Sequence, residues 1–393
     1  MDIQNKKVFF LLSFGHCGID WTHALLTSHE KILILPAFSF YRGWRDVISN
    51  KTNQLNIDSI VDSWKRYIDF QYSDKEGGRF FNSSDDNKLF YARFKSNLES
   101  FGLNRVNVFY AIHEAYAHVK NINIDDINVI VEHEHVCFHA DWIFEDFLNP
   151  NVIFLLREPK AAIAGYYRGI ERKCINMPDC YHHLISKSWA EWEKASKIFY
   201  TYGRTKGNRI HVIKYEDLVQ DIVTSAKKIA FILEIEYSKI LTIPTNTDGS
   251  LWRTDTCYIS NSDPDVDRDV FFTKDRMKER WMGVLTQKDI ISIEAVFSRI
   301  MRDFDYKRMS SISLKNKFMG FLYAIYPHRG HNRYSFYKVD RNEKQRIIDK
   351  ADNVVLSYLL AFNPLIIMTF IQYMLSFKDN ILIVLGRVPR KYK

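Results

Sequence analysis

The amino-acid sequence predicts an α/β fold with a central parallel sheet of about five strands flanked by helices. Three observations carry this. Five short runs rich in β-branched and aromatic residues recur at Val8–Ser13, Ile32–Leu35, Asn128–Glu134, Val152–Arg157 and Arg209–Lys214. Segments with helical spacing separate them, the alternation that builds parallel sheets. The runs are apolar almost throughout, Val152-Ile153-Phe154-Leu155-Leu156 above all, as strands covered on both faces must be.

Taken in order, the first run follows Lys6 and Lys7 and passes into Gly15 and His16. It is too short, and its exit lacks the small-residue cleavage site, for a secretory leader, so it is read as the first strand. Thr22–Ser28 then has the pattern of a helix. Between the second and third runs, residues 39–121 are mostly helical in pattern and rich in Trp, Tyr and Phe, an insertion suited to shaping an acceptor pocket. Its rings serve either as a broad core or as a stacking surface. Further on, Ala226, Ile229, Ala230 and Leu233 follow helical spacing, and Ile290, Ile293, Phe297, Ile300 and Phe304 form a second stripe behind the capping residue Thr286.

The division expected is an α/β domain over 1–307 and a helical extension over 308–393. That extension is first basic and aromatic, then charged, and then carries no charge from Asn353 to Phe377. Three readings stay open for the apolar part: short packed helices, an anchor lying on a membrane surface, or a bilayer span, which Asn363-Pro364 disfavours.

Composition limits the function classes. At 393 residues, 46% hydrophobic and 26% charged, the chain is long and apolar enough for a sizeable core. A net charge of +8 favours anionic partners, and nucleic acid is not among those expected. Five cysteines (Cys17, Cys137, Cys174, Cys180 and Cys257) stand at irregular spacings without a C-x-x-C pair, which fits a reducing, cytoplasmic setting, with peripheral membrane contact if 353–377 lies on a surface.

Two places carry chemistry. Ser13-Phe14-Gly15-His16-Cys17-Gly18-Ile19-Asp20-Trp21 is a glycine-bearing strand-to-helix turn, whose backbone N–H groups and helix terminus suit an anion. The same turn without a ligand would look alike. It lacks the G-x-x-x-x-G-K-[ST] pattern of a Walker A loop, which disfavours an ATP-dependent kinase. Arg157 ends the fourth run, before Glu158-Pro159, at the sheet edge where α/β proteins bind ligands. Its guanidinium suits a phosphate, and equally a surface ion pair.

Arg157-Glu158-Pro159-Lys160 through Gly165-Tyr166-Tyr167 resembles the R-x-P-K-x-x-x-x-S-Y-Y stretch of the sulfotransferases that use 3'-phosphoadenosine 5'-phosphosulfate (PAPS). Gly15–Trp21 is similar to that family's K-S-G-T-T-W loop, with His16 in place of lysine and Cys17, Ile19 and Asp20 in place of hydroxyl residues. Lys214-Tyr215-Glu216-Asp217-Leu218 resembles K-Y-E-D-L, and Lys274–Arg280 with Trp281 and Leu285-Thr286 resembles the basic loop before W-K-N-x-L-T, without its R-K-G start.

The resemblance implies a P-loop-like three-layer fold and a sulfuryl transfer that leaves PAP. It places the phosphosulfate end of the donor at Gly15, His16, Cys17, Gly18, Ile19, Asp20 and Trp21, and its 3'-phosphate at Arg157 and Gly165, where glycine replaces the family's serine. Tyr215 would help position the nucleotide, and Arg276 or Lys278 would close on it. His135 falls where the family's catalytic histidine stands and would act as general base. His16 would support the leaving phosphate. Glu132 or Glu134 would orient a histidine or serve as base, strand alternation placing them opposite His133 and His135. A cation held by His133, His135 and His139 is the minor reading, since the spacing matches no common zinc pattern.

The function expected is therefore transfer of a sulfuryl group from PAPS to a hydroxyl, on a glycan or glycolipid precursor, without a metal. The alternatives are a nucleotide-binding or membrane-associated module that has lost catalysis, and a P-loop-like kinase.

Overall fold

The computed structural model describes residues 3–319 except 37, 50–55, 73–79, 82, 135–136, 149, 175–191, 193, 204–208, 248, 253–280, 311–312, 314 and 317–318. The chain divides into two compact units, Met1–Leu156 with Thr205–Met277, and Arg157–Arg204 with Lys278–Lys393.

In the first unit all five expected strands form: β1 Lys7–Ser13, β2 Ile32–Ile34, β3 Val129–His133, β4 Asn151–Leu156 and β5 Ile210–Lys214. They make one parallel sheet in the order β2-β3-β1-β4-β5. The apolar residues of β1 to β4 are buried as a both-faces-covered strand requires, Val152–Leu156 completely, while β5, at the sheet edge, is mostly half-buried. Register sets Phe10 beside Glu132 and Leu11 beside His133, so alternate residues of β1 and β3 face opposite sides together.

Helix α1, Ile19–Leu26, starts before the expected Thr22 because Gly18, with φ +79°, turns the chain directly into it. Among its described residues the insertion holds four helices: α2 Phe40–Ser49, α3 Ile57–Tyr72, α4 Ser84–Phe101 and α5 Arg105–Val119. Ser83 and Asn104 cap the last two by accepting the N–H of Asp86 and Asn107. Of the two expectations for the insertion's rings, the described ones meet the core. Phe40 and Trp64 are both 0% exposed and stack with centroids 5.4 Å apart. Phe10 of β1 meets Phe109 of α5 at 6.2 Å and Tyr41 of α2 at the same distance. Helices α2 and α5 thus cover one face of the sheet, while α1, whose His23 meets His133, lies on the other. After β3 comes α6, Ala140–Asp146. After β5 come α8, Tyr215–Gln220, and α9, Ile222–Leu233, the latter burying Ala226, Ile229, Ala230 and Leu233 as its periodicity predicts.

In the second unit α7 runs Pro159–Cys174, opened by the proline as expected at a first helical position. The stripe behind Thr286 divides into α10, Gln287–Val296, and α11, Ser298–Asp303, instead of one helix. The break is at Phe297 (φ −97°, ψ 21°), whose ring is buried against Trp192 at 5.2 Å. One non-helical residue keeps Ile293 and Ile300 buried. Thr286 and Asp289 form a reciprocal capping box.

Candidate functional site

The loop from Phe14 to Gly18 leaves β1 and delivers the chain to the start of α1. Gly15 and Gly18 have φ +87° and +79°, and His16, at φ +52°, is exposed between them. The loop is tied from within. Gly15 N–H donates to Ser13 Oγ at 3.1 Å, and the buried Cys17 thiol donates to the Gly15 carbonyl at 3.1 Å. No side chain of the N-cap residue Gly18 caps α1, and the start of a helix is the kind of place that suits an anion. Ile19, Asp20 and Trp21 are thus helical residues; the loop proper ends at Gly18.

Tyr215, first residue of α8, lies directly on this loop. Its ring occupies the space beside Gly18 and meets Trp21 edge-on, with centroids 6.0 Å apart. Two motifs far apart in the chain are thereby one constellation.

Behind the loop is a pair the sequence reading missed. Asp20 Oδ1 stands 3.5 Å from Nε2 of His133, whose side chain is 1% exposed, and the His133 ring packs edge-on against His23 at 5.0 Å. Burial, opposed by the attraction of Asp20, lowers His23 to about 4. A signal existed: His133 ends a strand beside β1, and Asp20 opens the helix that follows β1.

On the opposite face, as alternation predicts, Glu132 and Glu134 hold the start of α2. Phe40 N–H donates to Glu132 Oε1 at 2.8 Å and Tyr41 N–H to Glu134 Oε2 at 3.2 Å. These carboxylates satisfy helix N–H groups that would otherwise be orphaned in the core. Glu132 also stands 3.3 Å from Nε2 of His113, whose Nδ1 is 2.8 Å from the Phe109 carbonyl. A carbonyl only accepts, so Nδ1 is the donor of that bond. Burial pushes both carboxyls up. Glu134 goes well above the usual range, with the neighbouring Glu132 adding to it. Glu132 and Glu134 are 1% and 0% exposed and anchor a helix, which suits a structural role; the sequence reading had offered them as base or orienter.

In the second unit, Arg157 and Gly165 are half-buried, Arg157 two residues before α7 and Gly165 within it. Lys160, fully buried, is 2.8 Å from Glu158 and 3.2 Å from the buried Glu294, donates to the Lys307 carbonyl at 2.8 Å, and lies 5.4 Å from the Trp281 ring centroid. Glu294 in turn accepts the N–H groups of Met309 and Ser310. Its carboxyl is lowered: burial would raise it, but the Ser310 and Met309 hydrogen bonds and the Lys160 charge outweigh that.

His135, Arg276, Lys278 and the 353–377 segment lie outside the described residues. Among the described residues no group of three or more His, Cys, Asp or Glu side chains is placed to hold a metal, and no helix is long and apolar enough to cross a membrane.

The chain is similar to the sulfotransferase domain from the curacin biosynthetic pathway, at 17% identity over 77% of this chain and 98% of that one, with a TM-score of 0.49. It is also similar to the sulfotransferase domain of the Synechococcus PCC 7002 olefin synthase (15%, 81% and 94%, TM-score 0.40) and to sulfotransferase STF9 from Mycobacterium avium (10%, 78% and 79%, TM-score 0.40). These are distant likenesses. No curated protein matches the chain. The sequence model described as Sulfotransferase family matches residues 9–239, more than half of the 393 residues. The chain belongs to the sulfotransferase family.

Proposed function

We propose that this protein transfers a sulfuryl group from PAPS to an acceptor hydroxyl. The observation that carries the reading is the loop Gly15–Gly18, internally bonded and opening on the uncapped start of α1, with Tyr215 laid on it. The family match supports the same reaction class.

PAPS brings the activated sulfuryl group; the chain's residues bind, orient and move a proton. The N–H groups that open α1 hold the phosphate from which the sulfuryl group departs and stabilise the charge growing there. His16, exposed on the same loop, adds a proton donor when charged. Arg157 holds the 3'-phosphate, with the backbone at Gly165 beside it and a cation at Arg276 or Lys278 closing the loop, roles taken from the motif resemblance. His135, next in the chain after the anchored Glu134, accepts the proton of the attacking hydroxyl. Helices α2–α5 form the acceptor region, an assignment supported by the attachment of α2 to the carboxyl end of β3. The acceptor is a glycan or glycolipid precursor. Stacking on the buried aromatic rings does not support that class; the apolar 353–377 segment does.

Isothermal titration of the folded chain with PAP tests the donor, with saturable binding expected. Incubation with PAPS and no acceptor should then release PAP slowly. Binding without release assigns a nucleotide-binding module that has lost catalysis. No binding removes the donor reading.

A further inference from the structure

We propose that Cys137 is a positioning residue that holds the donor loop in its binding shape through Ser13; this rests on the donor reading above. The loop has a backbone that is costly to maintain. Gly15, His16 and Gly18 have φ of +87°, +52° and +79°, and His16 takes its left-handed conformation in spite of its Cβ. Such a conformation persists where the surroundings fix it, and a loop fixed beforehand binds an anion without the further cost of ordering itself.

The ties meet at Ser13, the last residue of β1. Its carbonyl accepts the thiol of the buried Cys137 at 3.3 Å, and its Oγ accepts the Gly15 N–H at 3.1 Å. From the β4 side, the Leu155 carbonyl accepts the Phe14 N–H at 3.3 Å. The chain is therefore held from both sides where it leaves the sheet. Cys137 opens the turn Cys137–His139, which follows β3 and is itself anchored. Before it, Glu134 N–H donates to the Leu11 carbonyl at 3.0 Å, and at its end Arg45 Nη1 is 3.2 Å from His139 Nε2. The Cys137 thiol thus orients the Ser13 peptide, and the Ser13 hydroxyl orients Gly15, whose carbonyl receives the Cys17 thiol inside the loop. Cys137 acts through Ser13 and not by contact with the donor.

The test is a double-mutant cycle on the full chain, with PAP as ligand and with calorimetry and thermal melts as readouts. Cys137→Ala should fold and should weaken PAP binding about threefold to tenfold, the ratio for loss of one hydrogen bond. In the Ser13→Ala background, where Gly15 has lost its tie to residue 13, the same change should cost less than about twofold. Cys137→Ser, whose hydroxyl is also a donor, should recover part of the loss. Unchanged affinity in Cys137→Ala with a lower melting temperature marks a merely structural thiol and overturns the inference. Equal costs in the two backgrounds overturn it too, as does a Cys137→Ser that binds PAP no better than Cys137→Ala. Should Cys137→Ala fail to fold, Cys137→Val, which fills the space without a donor, takes its place in the cycle. Absence of saturation in the folded parent is a different result, because it removes the donor reading and this inference with it.

Discussion

The ring of Tyr215 fills the place that a side chain at Gly18 would need: a Cβ there would lie 2.5 Å from Tyr215 Cδ2 and 2.9 Å from Cε2. Glycine at this position therefore serves a packing requirement as well as a backbone one, and the ring it admits closes one wall of the loop.

Gly18→Ala should destabilise the protein by more than the about 1–2 kcal/mol that a left-handed φ alone costs, because the methyl group also displaces the ring. Tyr215→Ala in the same chain should recover the collision part and leave the backbone part. Urea melts of the single and double variants check this, a less-than-additive loss being expected.

Lys160 and Glu294 form a buried ion pair tied to Glu158 and to residues 307–310. Lys160→Met should cost about 3–5 kcal/mol, since it leaves Glu294 buried without its counter-charge. Lys160→Met with Glu294→Gln should cost less than Lys160→Met alone. The lowered carboxyl of Glu294 means its stabilisation is complete above the unfolded-state value and is lost as pH falls through the folded-state one. Acid unfolding curves of Glu294→Gln should therefore be flatter below about pH 4.5 than those of the parent.

Glu134 behaves in the opposite sense. Its carboxyl is raised by burial and by Glu132, so it stays protonated in the fold at a pH where the unfolded chain has ionised. That difference takes stability away as pH rises above about 4. Glu134→Gln, which keeps an oxygen for the Tyr41 N–H, should match the parent in mild acid and exceed it in stability at about pH 8. Thermal melts at the two pH values read this directly.

Arg157→Gln should weaken PAP binding about tenfold to a hundredfold, the range for loss of a charged hydrogen-bonded contact, with little change in melting temperature because the side chain is only half-buried. Unchanged affinity would assign this arginine to a surface ion pair. Calorimetry with PAP is the measurement.

Much of this was legible before any coordinates. The five strands, the parallel sheet, the helical insertion and the cap at Thr286 follow from local patterns of apolar, glycine and capping residues. The opposite facing of Glu132 and His133 follows from strand alternation. Two expectations shifted for local reasons: α1 begins at Ile19 because Gly18 turns the chain into it, and one helix became two at Phe297.

What pattern alone did not supply is which groups meet. Periodicity assigns a residue to a face, but neighbours across the sheet depend on strand order, and only the order β2-β3-β1-β4-β5 brings β3 against β1 and so His133 against Asp20. The same holds for His113 under Glu132, Tyr215 over Gly18 and Glu294 beneath Lys160, each pair joined from distant parts of the chain. Charge and burial at these contacts arise from the three-dimensional surroundings: Asp20 is a helix-opening carboxylate by sequence, and folding places the buried His133 imidazole 3.5 Å from it.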